Sequence, residues 1–166
     1  DVSYDIVYRV IKIGGRDACL FFVDGFCKDE MMQKILQYLI GLKPEDVPSN
    51  VHSMSKGFMP TVEVDLGRTW DEIVTALLSG QSILFIDGLE RCLLIDSRTY
   101  PARSVSEPEK EKALRGSRDG FVETIVFNTA LVRRRIRSPK LRLEMLRAGE
   151  TSKTDIAVCY MDDRVD

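Results

Sequence analysis

Two runs at the start of the chain leave little freedom for what it can fold into. Tyr4 to Ile13 (YDIVYRVIKI) alternates apolar and polar residues, as a half-buried strand does. Gly14-Gly15-Arg16 then makes a turn, and Ala18 to Val23 (ACLFFV) reads as a fully apolar strand. Together they form a hairpin, so at least one pairing of the sheet is antiparallel.

The rest of the chain alternates helices with short strands. Lys28 to Leu42 is a helix with Met31, Met32, Ile35, Leu36, Leu39 and Ile40 on one face and Gly41 near its end. Residues 43–60 hold three prolines with Ser, Asn and Gly, and read as a surface loop before a short strand at Thr61 to Leu66. Thr69 caps the next helix, with Glu72 at capping-box spacing and Gly80 at its end. Ser82 to Ile86 and Cys92 to Ile95 form a second hairpin around Asp87-Gly88-Leu89-Glu90.

Ser97 to Lys112 is polar, proline-bearing and extended. Ser117 or Asp119 starts the main helix, which runs to about Ile136 and is apolar nearly all round from Phe121 to Val132, the pattern of a central buried element. Leu141 to Leu146 and Asp155 to Met161 close the chain as strands. The expected fold class is α/β, a mixed β-sheet with flanking helices.

One frame recurs. Asp17-ACLFFV-Asp24 and Asp155-IAVCYM-Asp162 are both six strand residues between acids, and Ile83 to Gly88 is a partial third copy. An apolar strand ending in Asp-Gly is a common turn signal, yet the last copy also suits the opening strand of a second, related subdomain. The expected division is a first α/β subdomain at 1–150 and that opening strand at 151–166.

Composition narrows the function. At 166 residues the chain suits one domain, and a net charge of −2 argues against a dedicated nucleic-acid binder. Cys19, Cys27, Cys92 and Cys159 form no C-x-x-C pair, and three lie in apolar strand-like runs, which favours free thiols in a reducing compartment. His52 is the single histidine and lies in a loop, too little for histidine-based zinc chemistry or a Ser-His-Asp triad. No metal, cofactor or enzymatic activity is expected. No run approaches the roughly 18 apolar residues of a membrane span. Asp1 begins mid-pattern and Asp166 follows directly on a strand, as in a piece of something longer.

Three features could carry chemistry. Asp24, Asp87 and Asp162 follow strands and would suit a metal or acid/base site if they converged, although turns want Asp for local hydrogen bonds. Gly116-Ser117-Arg118-Asp119-Gly120 leads into a helix, where an anion is favoured, but it matches no phosphate-loop signature. Sharpest is the cluster Arg133, Arg134, Arg135 and Arg137, closed by Pro139. At about 100° per residue Arg133 and Arg137 would share a face.

From Leu114 to Lys153 there are ten basic and four acidic residues, net +6, so the rest of the chain carries −8. The molecule is polarised. Arginine suits bidentate pairing with carboxylates, so a salt-bridge network, internal or between subunits, is the first reading of Arg133, Arg134, Arg135 and Arg137, with Arg115 and Arg118 as further candidates. Acidic lipid headgroups are the alternative. Aromatic residues do not interleave with the arginines, which sets nucleic acid aside.

GFVETIVFNTALVRRRIRSPKLRLE followed by SKTDIAVCYMDDRVD resembles the soluble N-terminal region of the GerA family, the A subunits of bacterial spore germinant receptors. The matching pieces are Arg115-Gly116, Gly120-Phe121, Asn128 to Leu131, Arg133 to Ile136 with Pro139, and Ser152-Lys153-Thr154; Phe85 to Gly88 and Glu107-Pro108 fall in the family's order. Ser117 and Tyr100-Pro101-Ala102-Arg103 resemble the stage V sporulation protein AF branch more than the nutrient-receptor A subunits.

The resemblance implies two soluble α/β subdomains followed by a membrane-spanning region, in a protein of the spore inner membrane whose soluble part faces the core. It implies a role in germination, within complexes that sense nutrients or pass ions, with other germination subunits as partners in an oligomer. It transfers no catalytic residue, metal or cofactor. An anion- or lipid-headgroup-binding module using the basic helix end is the alternative.

Overall fold

The computed structural model describes residues 3–47, 62–98 and 120–165. Strands β1 (Ile6–Ile13), β2 (Arg16–Val23), β3 (Val64–Leu66), β4 (Ser82–Ile86) and β5 (Leu93–Ile95) make one sheet in the order β1-β2-β4-β5-β3. The first hairpin is in register from Ile6 opposite Val23 to Ile13 opposite Arg16. Its turn needs both glycines, since Gly14 and Gly15 have φ of 54° and 80°, a pair of left-handed residues that matches strand twist. The second hairpin pairs Ser82 with Ile95, and β2 against β4 joins the two. The α/β class stands, helices flanking a sheet, but in place of the expected mixed sheet every strand pairing among the described residues is antiparallel.

Helix α1 (Asp29–Gly41) covers one face of the sheet. Its Ile35 and Leu39 are buried with Ile13, Leu20, Leu84, Leu93 and Ile95 in one cluster, and Met31, Met32 and Leu36 pack against it. Helix α2 (Trp70–Leu78) covers the other face, with Ala76 against Ile83, Cys92 and Leu94. The Thr69 side chain accepts the Glu72 N–H at 3.2 Å, while the Glu72 carboxylate reaches back to the Arg68 N–H at 3.0 Å, one residue earlier than a reciprocal box would. Thr69→Ala should cost about 1 kcal/mol of unfolding free energy in a denaturant titration, the usual loss for an N-cap hydroxyl.

On its side of the sheet α2 stops short of β1. Tyr8 and Val10 stay 60% and 71% exposed there, at the outer end of a ring row Tyr8–Phe21–Phe85–Trp70 with centroids about 6 Å apart.

The third helix departs from the expectation. Helix α3 is Ile125–Arg135 with Thr124 as N-cap, so it starts well after Ser117 or Asp119. The cause is Asn128. Its side-chain oxygen accepts the Val122 N–H and its amide donates to the Val122 carbonyl, both at 2.7 Å, which holds the preceding stretch out of the helix. Nor is α3 the central buried element: only Thr129, Ala130 and Arg133 are buried, and Phe127 is 42% exposed.

Helix α3 docks at the sheet's end, with Ala130 against Val23 and Phe26. Gly25 permits that approach, since a Cβ there would lie 3.0 Å from the Ala130 Cβ on a backbone of φ +79°.

Strands β6 (Leu141–Ala148) and β7 (Thr154–Met161) form a separate antiparallel ribbon, paired from Leu141 opposite Met161 to Ala148 opposite Thr154. A division between residues 150 and 151 falls in the turn of this ribbon.

Candidate functional site

Helix geometry decides where the arginines go. Arg133 lies three and four residues after Ala130 and Thr129, the other buried positions of α3, so it shares their face and points inward. Arg134 and Arg135 are turned away and exposed. The helix ends at Arg135, with Ile136 at φ −115° and ψ 88°, so the helical projection does not extend to Arg137. The expected common face of Arg133 and Arg137 is therefore corrected: Arg133 is 1% exposed and Arg137 is on the surface, its Nε donating to the Arg134 carbonyl at 3.4 Å.

Arg133 is held by three separate stretches of chain. Its Nε and Nη2 donate to the two carboxylate oxygens of Asp5 at 2.6 and 3.0 Å, a bidentate pair whose side chains are 1% and 2% exposed. Nη2 also reaches the Ser3 hydroxyl and the Leu141 carbonyl, each at 3.0 Å, and Nη1 reaches the Ser138 carbonyl at 3.1 Å. A charge this deep is tolerated because the guanidinium's donors find acceptors.

The neighbours extend the network. Ser3 Oγ accepts the Leu143 N–H at 2.6 Å, the Tyr4 N–H donates to the Leu143 carbonyl at 2.9 Å, and the Asp24 N–H donates to the Asp5 carbonyl at 2.8 Å. The Tyr4 hydroxyl meets Thr129 Oγ1, and burial pushes its phenol above the ordinary tyrosine range.

Outside this knot lies a basic surface. Arg134, Arg135 and Arg137 are exposed beside Lys140 and Arg142. The last two are tied to the end of β7: Lys140 to Asp163 at 2.7 Å and Arg142 to Asp162 at 2.9 Å. Further along the ribbon Arg147 pairs with Asp155 at 3.1 Å. Arg115, Arg118 and the turn from Gly116 to Asp119 lie outside the described residues, as does His52.

Asp24, Asp87 and Asp162 are tied into the fold by bonds between elements. The first two bond through their backbone N–H groups, to Asp5 and Asp17, and the third takes Arg142. Among the described residues no three His, Cys, Asp or Glu side chains could hold a metal ion, and no helix is long and apolar enough to cross a membrane. The cysteines are free thiols, with Cys92 buried and its pKa raised by that burial, and Cys159 exposed.

Ser3 and Asp5 lie beyond sequence reasoning. Nothing in a Ser-Tyr-Asp opening a strand marks a partner 128 residues away. For Arg133 the sequence does hold a signal: its i−4 and i−3 neighbours are Thr and Ala, small residues on a helix otherwise rich in larger apolar ones.

The family model described as "Bacillus/Clostridium GerA spore germination protein" matches residues 1–166. Among curated proteins the chain is similar to the stage V sporulation protein AF of Bacillus subtilis (strain 168), 37% identical over 99% of this chain and 34% of that protein. It is also similar to spore germination protein B1 of the same organism, 34% identical over 96% of this chain and 33% of that one. Among solved structures the N-terminal domain of the A subunit of the Bacillus megaterium spore germinant receptor GerK3 matches with a TM-score of 0.71 and 28% identity, covering 96% of this chain and 58% of that domain. The chain thus spans about a third of these curated relatives.

Proposed function

The chain belongs to the GerA family of spore germination proteins, and from that premise we propose that it acts in assembly and signal transmission within a germinant-receptor or ion-channel complex. In this reading it is part of the N-terminal soluble region of a longer protein. That protein is held in the spore inner membrane by a segment outside these residues, with the soluble region on the core side. Its partners are other germination subunits, and its role is binding rather than catalysis. The β6–β7 ribbon would open the second subdomain, which then begins with both strands rather than at residue 151.

One observation carries the proposal. The arginine cluster divides, with Arg133 consumed inside the fold and Arg134, Arg135 and Arg137 exposed at the end of α3. Exposed arginines beside a helix terminus, on the basic part of a polarised molecule, fit a carboxylate-bearing surface of a neighbouring subunit.

Arg134→Ala should then weaken assembly of the full-length complex by about tenfold, in the range of an interface arginine, while leaving this chain folded. Co-purification of subunits from spore membranes, with circular dichroism of the chain, reads both. The competing reading is a lipid headgroup. If the chain binds vesicles rich in anionic lipid, with binding that falls steeply as salt rises and is lost on Arg134→Ala, the arginines face lipid instead.

A further inference from the structure

We propose that the β6–β7 ribbon is an arm hinged at Ser138-Pro139-Lys140, and that Ser3, Asp5 and Arg133 are the latch that docks it, so that the arm can leave the five-stranded sheet without unfolding it.

The attachment is confined to one end. Among the described residues the ribbon shares no strand pairing with the larger sheet. Its hold on the body includes the burial of Leu141 and Leu143, 3% and 0% exposed, the bonds made at those two residues by Arg133, Ser3 and Tyr4, and the packing of β7 against α3. Beyond them the ribbon stands clear, with Leu146, Ile156 and Val158 at 50%, 42% and 37% exposed. Elements with few buried contacts to the rest of a fold occupy its low-stability end and open on their own.

The latch bonds are also concentrated on one side chain. Arg133 alone spans the segment entering β1, the turn after α3 and the first residue of β6. Losing its bonds loosens all three, leaving the Ser3 and Tyr4 bonds to Leu143 as the remaining polar tie between the segment entering β1 and β6. The sheet keeps its own core through α1 and α2, which draws on none of these residues.

The functional consequence rests on the assembly reading above. Arg134 and Arg135 occupy the same last turn of α3 as Arg133, so a partner that grips them acts on the backbone that carries the latch. Docking and arm position are then coupled through one turn of helix.

Hydrogen exchange followed by mass spectrometry on the protein alone tests the latch without any partner, so its failure and that of the assembly reading are separate. Ser3→Ala removes an acceptor shared by Arg133 and the Leu143 N–H; Arg133→Met removes the whole node. Exchange in β6 and β7 should quicken roughly tenfold or more in each, while β2, β4 and β5 keep the wild-type rate. If every strand quickens together, the ribbon belongs to one cooperative unit with the sheet and the proposal falls. It falls equally if β6 and β7 do not respond. Should Arg133→Met not fold, the Asp5 carboxylate left buried without its partner accounts for that, and Ser3→Ala decides the proposal by the same comparison.

Discussion

Leu20→Ala is expected to lower the unfolding free energy by about 2–5 kcal/mol, the range for emptying a buried leucine site in a close-packed core. Leu20 is fully buried on β2, between Arg9 on β1 and Leu84 on β4 in register, and faces α1. Neighbours on three sides are fixed by ladder hydrogen bonds and by the packed helix, so the cavity has little room to collapse. Ile125→Ala makes the same kind of truncation on α3, where an all-round apolar pattern would suggest a similar loss. Ile125 is only half-buried, in the first turn of a helix at the sheet's end, and its loss should be about 1 kcal/mol. Guanidinium titration of both variants decides which element is the core. Equal losses would mean that α3 is buried more deeply than its surroundings show.

The difference between these two sites marks how far sequence can be read. Strand β2 is legible because ACLFFV between Gly15 and Asp24-Gly25 fits no other element of that length, and its partner lies one tight turn away. The cap at Thr69 and the hairpin at Asp87 to Glu90 are legible for the same reason: their determinants are local. The start of α3 is not, because it is set by Asn128 reaching back to Val122, a side-chain competitor that periodicity does not weigh. Its burial is not legible either, because an apolar pattern says that a helix can be covered, not where it docks or how much of it is covered there. The arginine cluster is visible as charge, but which member turns inward depends on Ser3 and Asp5, at the far end of the chain.

Asp5→Ala should cost more than any surface change in this protein. It removes the carboxylate from a buried pair and leaves the Arg133 guanidinium charged and nearly inaccessible to water. Breaking one side of such a pair typically costs about 3–5 kcal/mol, most of it the penalty of the orphaned ion rather than the worth of the bond. Replacing both partners, Asp5→Ala with Arg133→Met, removes the orphan. The double variant should therefore lose less than the single one. It should not return to wild type, because the Leu141 carbonyl and the Ser3 hydroxyl keep fewer partners, at about 1–3 kcal/mol for a buried group left unsatisfied. The appropriate measurement is the opening free energy from hydrogen exchange at α3, β6 and β7 in a double-mutant cycle. A double variant as damaged as the sum of the singles would mean that Asp5 and Arg133 act independently, and that their 2.6 Å contact does not organise this end of the molecule.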